Sequence, residues 1–288
     1  MKLGFIGLGH LGTPIAENLL EKRHSLYVFN RTASKAQMLI DKGATLCKSV
    51  KELAAECDIV FTLVSDDAAV NHLTKETEGI AANLKPGGIH VSMSTILPET
   101  SNQLYKLHEH HDNHYIACPI MGRPEAAKAR KLNILASGSK ATLEIIKPFL
   151  QDAGAVKIWE LGDDISASNV AKLCGNFLII SAIEAMAESI NLASKSGLDA
   201  GKWIEMITQT LFPSPIYVNY SKMILEETFA PGGFSVKLGS KDVNLVLQQA
   251  KNLDAKMPFG NQLKHQMDEC IEKGYGDNDW TAIALALK

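Results

Sequence analysis

The sequence predicts a protein of the α/β class in two parts: a doubly wound, mostly parallel N-terminal sheet domain and an all-helical C-terminal domain. Apolar strands alternate with amphipathic segments from residue 1 to about residue 160, a pattern typical of a parallel sheet covered by helices. After Leu161-Gly162-Asp163 the strand pattern ends and a helical run over about 164–196 follows. We therefore expect two domains, 1–162 and 163–288, joined by this long helix.

The individual elements follow from short apolar runs and from helical periodicity. The predicted strands cover 3–6, 26–29, 45–47, 59–64, 89–93, 115–118, 132–137 and 156–159. The helices predicted after the long one cover 202–210, 216–226, 240–252, 258–272 and 280–287.

The first strand runs directly into the motif G-x-G-x-x-G at Gly7, Gly9 and Gly12. In this motif the first glycine allows a tight turn, the second lets a ligand approach the backbone, and the third lets the next helix pack closely. That helix directs its N-terminal amides at a negative charge. Because a strand, a helix and a second strand surround the motif, we predict a Rossmann-type dinucleotide cradle rather than an unrelated glycine-rich turn. The cradle also includes Leu8, His10 and Leu11.

The end of the second strand predicts which dinucleotide binds. An NAD-binding domain usually carries an acidic residue there for the ribose hydroxyls, whereas this chain has Asn30-Arg31-Thr32, with Lys35 one helical turn further on. Arginine presents a planar set of donors that suits phosphate oxygens. The pattern therefore favours NADP(H) over NAD(H); the alternative is an Arg31 that is merely solvated.

Two loops at the carboxyl edge of the sheet are further candidates for the binding site, because ligands of such sheets lie beyond the strand ends. The loop after the fourth strand should run close to the coenzyme, whereas Asp66-Asp67 is expected to cap a helix. After the fifth strand, Ser94 and Thr95 can donate to a substrate or to the nicotinamide amide; alternatively they cap a helix that opens at Pro98. The coenzyme-contacting residues predicted for the first loop are Leu63, Val64 and Ser65.

Composition excludes several classes of protein. The 288 residues are 46% hydrophobic and 21% charged, with a net charge of −3 and no basic cluster, so a nucleic-acid partner is not expected. Five cysteines without a C-x-x-C pair predict free thiols in a reducing cytoplasm. No secretory signal is expected, and the most apolar stretch, around 177–186, contains Glu184 and is expected to fall short of a membrane span.

The long helix carries a polar stripe that predicts the catalytic group. Lys172 and Asn176 are four residues apart, and Asn169 precedes Lys172 by three, so all three share one helix face. A lysine partly removed from water has a lowered pKa, which suits proton donation near neutral pH. The alternative is a lysine on a solvated face.

The chain resembles the β-hydroxyacid dehydrogenase family, which includes 3-hydroxyisobutyrate dehydrogenase and the glyoxylate and succinic semialdehyde reductases. The resemblance covers essentially the whole length. It implies that Lys172 is the general acid/base, that Asn176 helps to bind substrate, and that Lys241 lies near the coenzyme. The motifs that carry it are Gly4-Phe-Ile-Gly7-Leu-Gly9-His-Leu-Gly12, Asn30-Arg-Thr32, Ser94-Thr95-Ile96, Pro119-Ile-Met-Gly122, Lys172-x-x-x-Asn176 and Lys241-Asp242.

One segment departs from the family pattern, which reads Asp-Ala-Pro-Val-Ser-Gly-Gly. Here Ala117 stands in place of the aspartate, Met121 in place of the serine and Arg123 in place of the second glycine, whereas Gly122 is kept. Arg123 either clamps a substrate carboxylate or pairs with Glu125. Met121 lines a more apolar pocket.

The remaining histidines, cysteines and apolar residues of note are given simpler structural explanations. The histidines at 108, 110, 111 and 114 are expected to be solvated and to bind no metal, because no further ligands complete a site. Cys118 and Cys174 are expected to act as small buried hydrophobes. Phe234 and Leu238, close to Lys241, are predicted to wall the substrate cleft between the two domains.

Together these observations predict a cytoplasmic NADP(H)-dependent oxidoreductase that interconverts a small hydroxyacid with a semialdehyde or oxo acid. One rival is an imine reductase acting on C=N, but enzymes of that kind generally lack the lysine that Lys172 supplies. A second rival is a catalytically silent nucleotide-binding scaffold. The long helix and the helical half predict a homodimer or tetramer, without a nucleic-acid or membrane partner.

Overall fold

The computed structural model describes residues 1–230 and 232–287. The chain divides into two compact units, Met1–Lys172 and Leu173–Lys288, and the boundary falls inside the long helix. Each unit has its own apolar core. The predicted fold class, a parallel α/β domain followed by an all-helical region, is confirmed.

The N-terminal unit alternates strands and helices. In chain order these are β1 (Lys2–Ile6), α1 (Gly12–Glu21), β2 (Ser25–Phe29), a 3₁₀ turn (Ala33–Ala36), α2 (Gln37–Asp41), β3 (Thr45–Leu46), α3 (Val50–Glu56), β4 (Ile59–Thr62), α4 (Asp67–Lys75), α5 (Ile80–Asn83), β5 (Ile89–Ser92), α6 (Pro98–His110), β6 (His114–Ala117), β7 (Ile120–Met121), α7 (Pro124–Lys128), β8 (Leu132–Ala136), α8 (Lys140–Asp152) and β9 (Ala155–Glu160).

These strands form two sheets rather than the one that the sequence predicted. Six parallel strands have the order β3-β2-β1-β4-β5-β6. This is the doubly wound arrangement, in which successive strands are added first on one side of β1 and then, from β4 onward, on its other side. A separate sheet has the order β7-β8-β9, in which β7 runs antiparallel to β8. The prediction missed β7 because a two-residue strand leaves no apolar run to detect.

The C-terminal unit is helical. It comprises most of α9 (Ala167–Lys195), then α10 (Ala200–Thr210), α11 (Pro215–Leu225), α12 (Val236–Asn252), α13 (Pro258–Cys270), a π-helical turn (Ile271–Tyr275), a 3₁₀ turn (Trp280–Ala282) and α14 (Ile283–Ala286). The prediction started α12 four residues late, because the Ser235 hydroxyl accepts from the Leu238 amide at 3.3 Å and opens the helix earlier.

Helix α9 corrects one expectation. By length and composition alone it is apolar enough to cross a membrane, whereas the sequence predicted that this stretch falls short. The difference arises because the helix is 29 residues long and its apolar window extends beyond 177–186. Half of that window is buried inside the protein, as in a core helix of a globular domain.

Two expectations about single residues also fail. His108 is fully buried, not solvated, because the inner face of α6 packs it against the sheet; His110 and His114 are exposed as expected. Cys174 is exposed, whereas the other four cysteines are buried, and all five are free thiols.

Candidate active site

Each of the three motif glycines is required, or favoured, for a different structural reason. Gly7 has φ +104°, and a Cβ there would lie 2.1 Å from the Leu63 carbonyl oxygen. A Cβ on Gly12 would lie 2.0 Å from the Gly7 carbonyl oxygen, so the start of α1 packs directly on the turn. At Gly9 a Cβ would meet nothing within 4 Å. Two glycines therefore hold the turn together, and the third leaves open space at the surface, which fits a dinucleotide that approaches the backbone.

Asn30 ties this turn to the end of β2. Its Oδ1 accepts from the Leu8 amide at 2.9 Å, and its Nδ2 donates to the Thr32 carbonyl at 2.9 Å. Leu8 is only 2% exposed, so its side chain packs in the core while its amide is bonded to Asn30. Sequence reasoning proposed both residues as coenzyme contacts and did not foresee this connection. His10, in contrast, is exposed, and Leu11 is half-buried.

The segment after β2 presents positive charge to solvent. Arg31, Thr32 and Lys35 are all exposed, and no acidic residue occurs between Asn30 and Ala36. Thr32 precedes the 3₁₀ turn without using its hydroxyl as a cap. These donors therefore fit a phosphate group beyond the strand end.

The loops after β4 and β5 are joined by three hydrogen bonds. Ser94 is fully buried, and its Oγ accepts from the Val64 amide at 2.8 Å. Asp67 Oδ1 accepts from the Leu97 amide at 2.9 Å and from the Thr100 hydroxyl at 2.6 Å. Helix α6 has Leu97 as its N-cap residue and no side-chain cap; instead, Asp67 at the start of α4 accepts from the Leu97 amide.

The rest of these loops follows the prediction more closely. Asp66 caps α4 by accepting from the Ala69 amide at 2.8 Å, and Ser65 donates to Asp66 at 2.7 Å. Thr95 is half-buried, so of the Ser94-Thr95 pair it presents the more accessible hydroxyl.

The segment that departs from the family pattern, Met121-Gly122-Arg123, lies at the end of β7 and is held by contacts with β8 and Glu125. Met121 is half-buried and pairs with Asn133 of β8. A Cβ on Gly122 would lie 2.5 Å from the Leu132 side chain, so a larger residue would have to displace it. The Arg123 Nε lies 3.7 Å from an oxygen of Glu125, the pairing considered as an alternative. The exposed Glu125 makes that ion pair weak.

The polar stripe of α9 is buried. Lys172 is 9% exposed, and its Nζ lies 3.7 Å from the Met121 sulfur. Asn169 is 2% exposed, and its Oδ1 has no hydrogen-bond partner among the described residues. The unsatisfied amide oxygen of Asn169 is costly to bury unless a polar ligand or water meets it.

One turn further along α9, Asn176 belongs to a second polar group. Its Nδ2 donates to Asp242 Oδ2 at 2.5 Å, and the other oxygen of Asp242 lies 2.5 Å from the Lys241 Nζ. Asp242 is 2% exposed. Sequence reasoning noted the Lys241-Asp242 pair but gave Asp242 no role; the acid beside a predicted site lysine was the available signal. Phe234 is half-buried, with its ring 4.7 Å from that of Trp280.

Comparison with known proteins agrees with this geometry. Residues 2–162 match the family described as the NAD binding domain of 6-phosphogluconate dehydrogenase. Residues 166–287 match the family described as NAD-binding of NADP-dependent 3-hydroxyisobutyrate dehydrogenase. An uncharacterized oxidoreductase of Bacillus subtilis (strain 168), YfjR, is 38% identical over 288 residues, which cover 100% of both chains.

Two solved structures are similar over nearly their whole length. Mycobacterium tuberculosis 3-hydroxyisobutyrate dehydrogenase with L-serine is 26% identical, with a TM-score of 0.89 and coverage of 100% of this chain and 99% of that one. Psf3 in complex with NADP+ and 2-OPP is 25% identical, with a TM-score of 0.90 and coverage of 99% and 100%.

The fold, the glycine turn and these matches define an NAD(P)-binding oxidoreductase of the class that acts on CH–OH groups. Within that class, the chain belongs to the β-hydroxyacid dehydrogenase family.

Proposed function

We propose that this protein is an NADP(H)-dependent reductase and dehydrogenase that interconverts a small hydroxyacid with its semialdehyde or oxo acid. In this proposal Lys172 is the general acid/base. The observation that carries it is the buried ammonium group of Lys172 on the polar stripe of α9, beside Met121. A protonated amine held out of bulk water is suited to give a proton to an oxygen on which negative charge develops.

The coenzyme would lie on the glycine turn. When bound, a reduced nicotinamide supplies hydride to a carbonyl carbon. Gly9, His10 and the amides that open α1 would receive the pyrophosphate, since the space above Gly9 is open. Arg31 and Lys35 would receive a 2′-phosphate, which supports NADP(H) over NAD(H). The NADP+ bound in the Psf3 structure is consistent with this preference.

The other residues position the substrate. Asp242 accepts from the Asn176 amide and so holds that side chain in one orientation, and in this proposal Asn176 helps to bind the substrate. Thr95 offers a hydroxyl donor, and Arg123 offers a guanidinium group for a carboxylate. Lys241, paired with Asp242, would lie near the coenzyme, and Phe234 would provide an apolar wall. The L-serine bound to the Mycobacterium tuberculosis relative is itself a small hydroxyacid.

Substitution of Lys172 by alanine tests the proposal. We expect Lys172→Ala to lower kcat by roughly 10²–10⁴, as for loss of a general acid, while the Kd for NADPH changes by less than about threefold. Lys195→Ala, at an exposed lysine of the same helix, is the matched control and should leave kcat unchanged. Turnover within about threefold of wild type in Lys172→Ala would exclude the mechanism.

A substrate screen that follows NADPH absorbance separates the rival functions. Glyoxylate, succinic semialdehyde, methylmalonate semialdehyde and a cyclic imine are the informative compounds. Turnover of the imine alone would favour imine reduction, and NADPH binding without any turnover would favour a silent scaffold. We also propose a cytoplasmic homodimer or tetramer; a monomeric mass in light scattering would contradict the assembly.

A further inference from the structure

A buried polar layer lies on one face of the parallel sheet, beneath α6. Thr62 of β4, His90 of β5 and His108 of α6 are each fully buried, and Asn113 is 2% exposed. Their side chains form a continuous chain of hydrogen bonds. The Thr62 hydroxyl lies 2.9 Å from His90 Nε2, His90 Nδ1 lies 2.9 Å from His108 Nε2, and His108 Nδ1 is bonded to Asn113 Oδ1.

The amide end fixes the direction of every bond in this chain. Asn113 Nδ2 donates to the carbonyls of Ala81 at 3.0 Å and Leu84 at 3.2 Å, so its Oδ1 must accept. His108 Nδ1 therefore donates to Asn113, and in a neutral ring His108 Nε2 must accept. By the same logic His90 Nδ1 donates to His108, and His90 Nε2 accepts from Thr62. With both imidazoles neutral, this single arrangement satisfies all four side chains, and His108 cannot take up a second proton without losing its bond to His90.

Among residues 1–230 and 232–287, no acidic side chain is bonded to either ring to compensate an added proton. The Tyr115 ring of β6 faces both imidazoles, at centroid distances of 5.2 Å and 5.6 Å. His111 and His114 act on His108 only by lowering its pKa, and neither imidazole is bonded to a carboxylate in the described part of the chain. Burial lowers the pKa of His108 to about 4 and that of His90 well below its usual value. A proton on His108 Nε2 would place two donors face to face, because His90 Nδ1 already donates to that nitrogen.

The Thr62 end of this series of hydrogen bonds lies next to the glycine turn at Gly7, where the proposed function places the coenzyme. Thr62 is the last residue of β4, and its carbonyl accepts from the Met93 amide at 2.8 Å. The next residue, Leu63, donates to the Ile6 carbonyl at 2.9 Å, and its own oxygen fills the space beside Gly7. The Val64 amide in turn donates to Ser94. Thr62 therefore directly precedes the residue whose carbonyl oxygen packs against Gly7.

We propose that Thr62, His90, His108 and Asn113 form a positioning relay that holds the loop after β4 in its coenzyme-binding geometry while both imidazoles are neutral. The relay deepens the proposed function, since it rests on this loop serving the coenzyme. These are positioning residues: they act through Leu63 and Val64 and need not touch the coenzyme. Acid that protonates His108 breaks the relay and weakens coenzyme binding.

Substitutions at Thr62 test the relay in the full-length protein. Thr62→Val keeps the shape but removes the donor, leaving a buried acceptor on His90 unpaired; we expect the KM for NADPH to rise about tenfold with kcat nearly unchanged. Thr62→Ser keeps the hydroxyl and should restore wild-type binding. Thr74→Val is the matched control, because Thr74 is fully buried and its hydroxyl has no hydrogen-bond partner among the described residues. Equal NADPH binding by Thr62→Val and wild type would overturn the proposal.

A second measurement needs no variant. Long-range ¹H–¹⁵N spectra of the wild-type protein at pH 7 should show both His90 and His108 as neutral rings protonated at Nδ1. A ring protonated at Nε2, or charged at that pH, would overturn the relay whether or not the variants fold. Failure of the proposed function is recognised separately, as a wild-type protein that binds neither NADPH nor NADH.

Discussion

The stability of the helical unit should depend on the ionisation of one buried carboxyl group, that of Glu184. This residue of α9 is 2% exposed, and neither of its oxygens has a hydrogen-bond partner within the described residues. Burial, with a smaller contribution from Glu188, raises the pKa of Glu184 from 4.5 to about 7. The folded state therefore holds the proton more tightly than the unfolded state, so stability is full below pH 4.5 and is lost as pH rises through 7.

The size of this effect follows from the shift. The difference between the folded and unfolded pKa values corresponds to about 3 kcal/mol of lost unfolding free energy at pH 8.5, and to about 1 kcal/mol at pH 5.5. Glu184→Gln cannot ionise, so it should be more stable than wild type by an amount that grows by about 2 kcal/mol between these pH values. Any cost of burying an uncharged polar group is the same at both pH values and cancels in the difference.

Urea unfolding followed by tryptophan fluorescence at pH 5.5 and 8.5 measures this difference. Glu205→Gln is the matched control, since Glu205 is exposed in the same helical unit and does not contribute to the pKa shift of Glu184. Its effect should stay within about 0.5 kcal/mol at either pH. The reasoning would be refuted if the unfolding free energies of wild type and Glu184→Gln differed by the same amount at both pH values.

Three further outcomes are expected. Arg31→Ala should lower the preference for NADPH over NADH by about tenfold or more, as for loss of hydrogen bonds to a phosphate, whereas Lys48→Ala should not; an unchanged ratio of the two kcat/KM values would contradict the role of Arg31. Gly9→Ala should keep wild-type thermal stability but lose NADPH affinity, because the added Cβ occupies open space, whereas Gly12→Ala should lower the Tm by clashing with the turn; equal Tm losses would contradict this distinction. Met121→Ser should raise kcat/KM for glyoxylate relative to less polar aldehydes, while Met121→Leu should not; identical substrate profiles would remove Met121 from the site.

The sequence was informative wherever one physical signal dominates. Apolar runs located β1, β4 and β5 to within two residues at their ends, because fully buried parallel strands are nearly continuous in apolar residues. The glycine motif predicted the tight turn between β1 and α1 for a comparable reason: two of its positions exclude a Cβ by direct contact with backbone.

The sequence was less informative where function depends on contacts between distant positions. The bond from Asp67 to the Leu97 amide joins two loops that no local pattern connects. Likewise, His108 is bonded in the buried layer to His90, eighteen residues away in the chain. His90 lies in an apolar strand and His108 in a histidine-rich helix end. Only the folded arrangement shows that the two side chains form a buried pair and that His108 does not belong to a surface cluster.

The double hydrogen bond of Asn30 has a consequence for redesigning coenzyme choice. A designer who wants an NADH-dependent variant would place an acid at the end of β2, and position 30 is the obvious site. An aspartate there keeps the acceptor for the Leu8 amide but faces the Thr32 carbonyl with a second oxygen instead of a donor. Such a graft would loosen the pyrophosphate and adenosine ends of the binding surface at once, so the acid is better introduced at the exposed position 31.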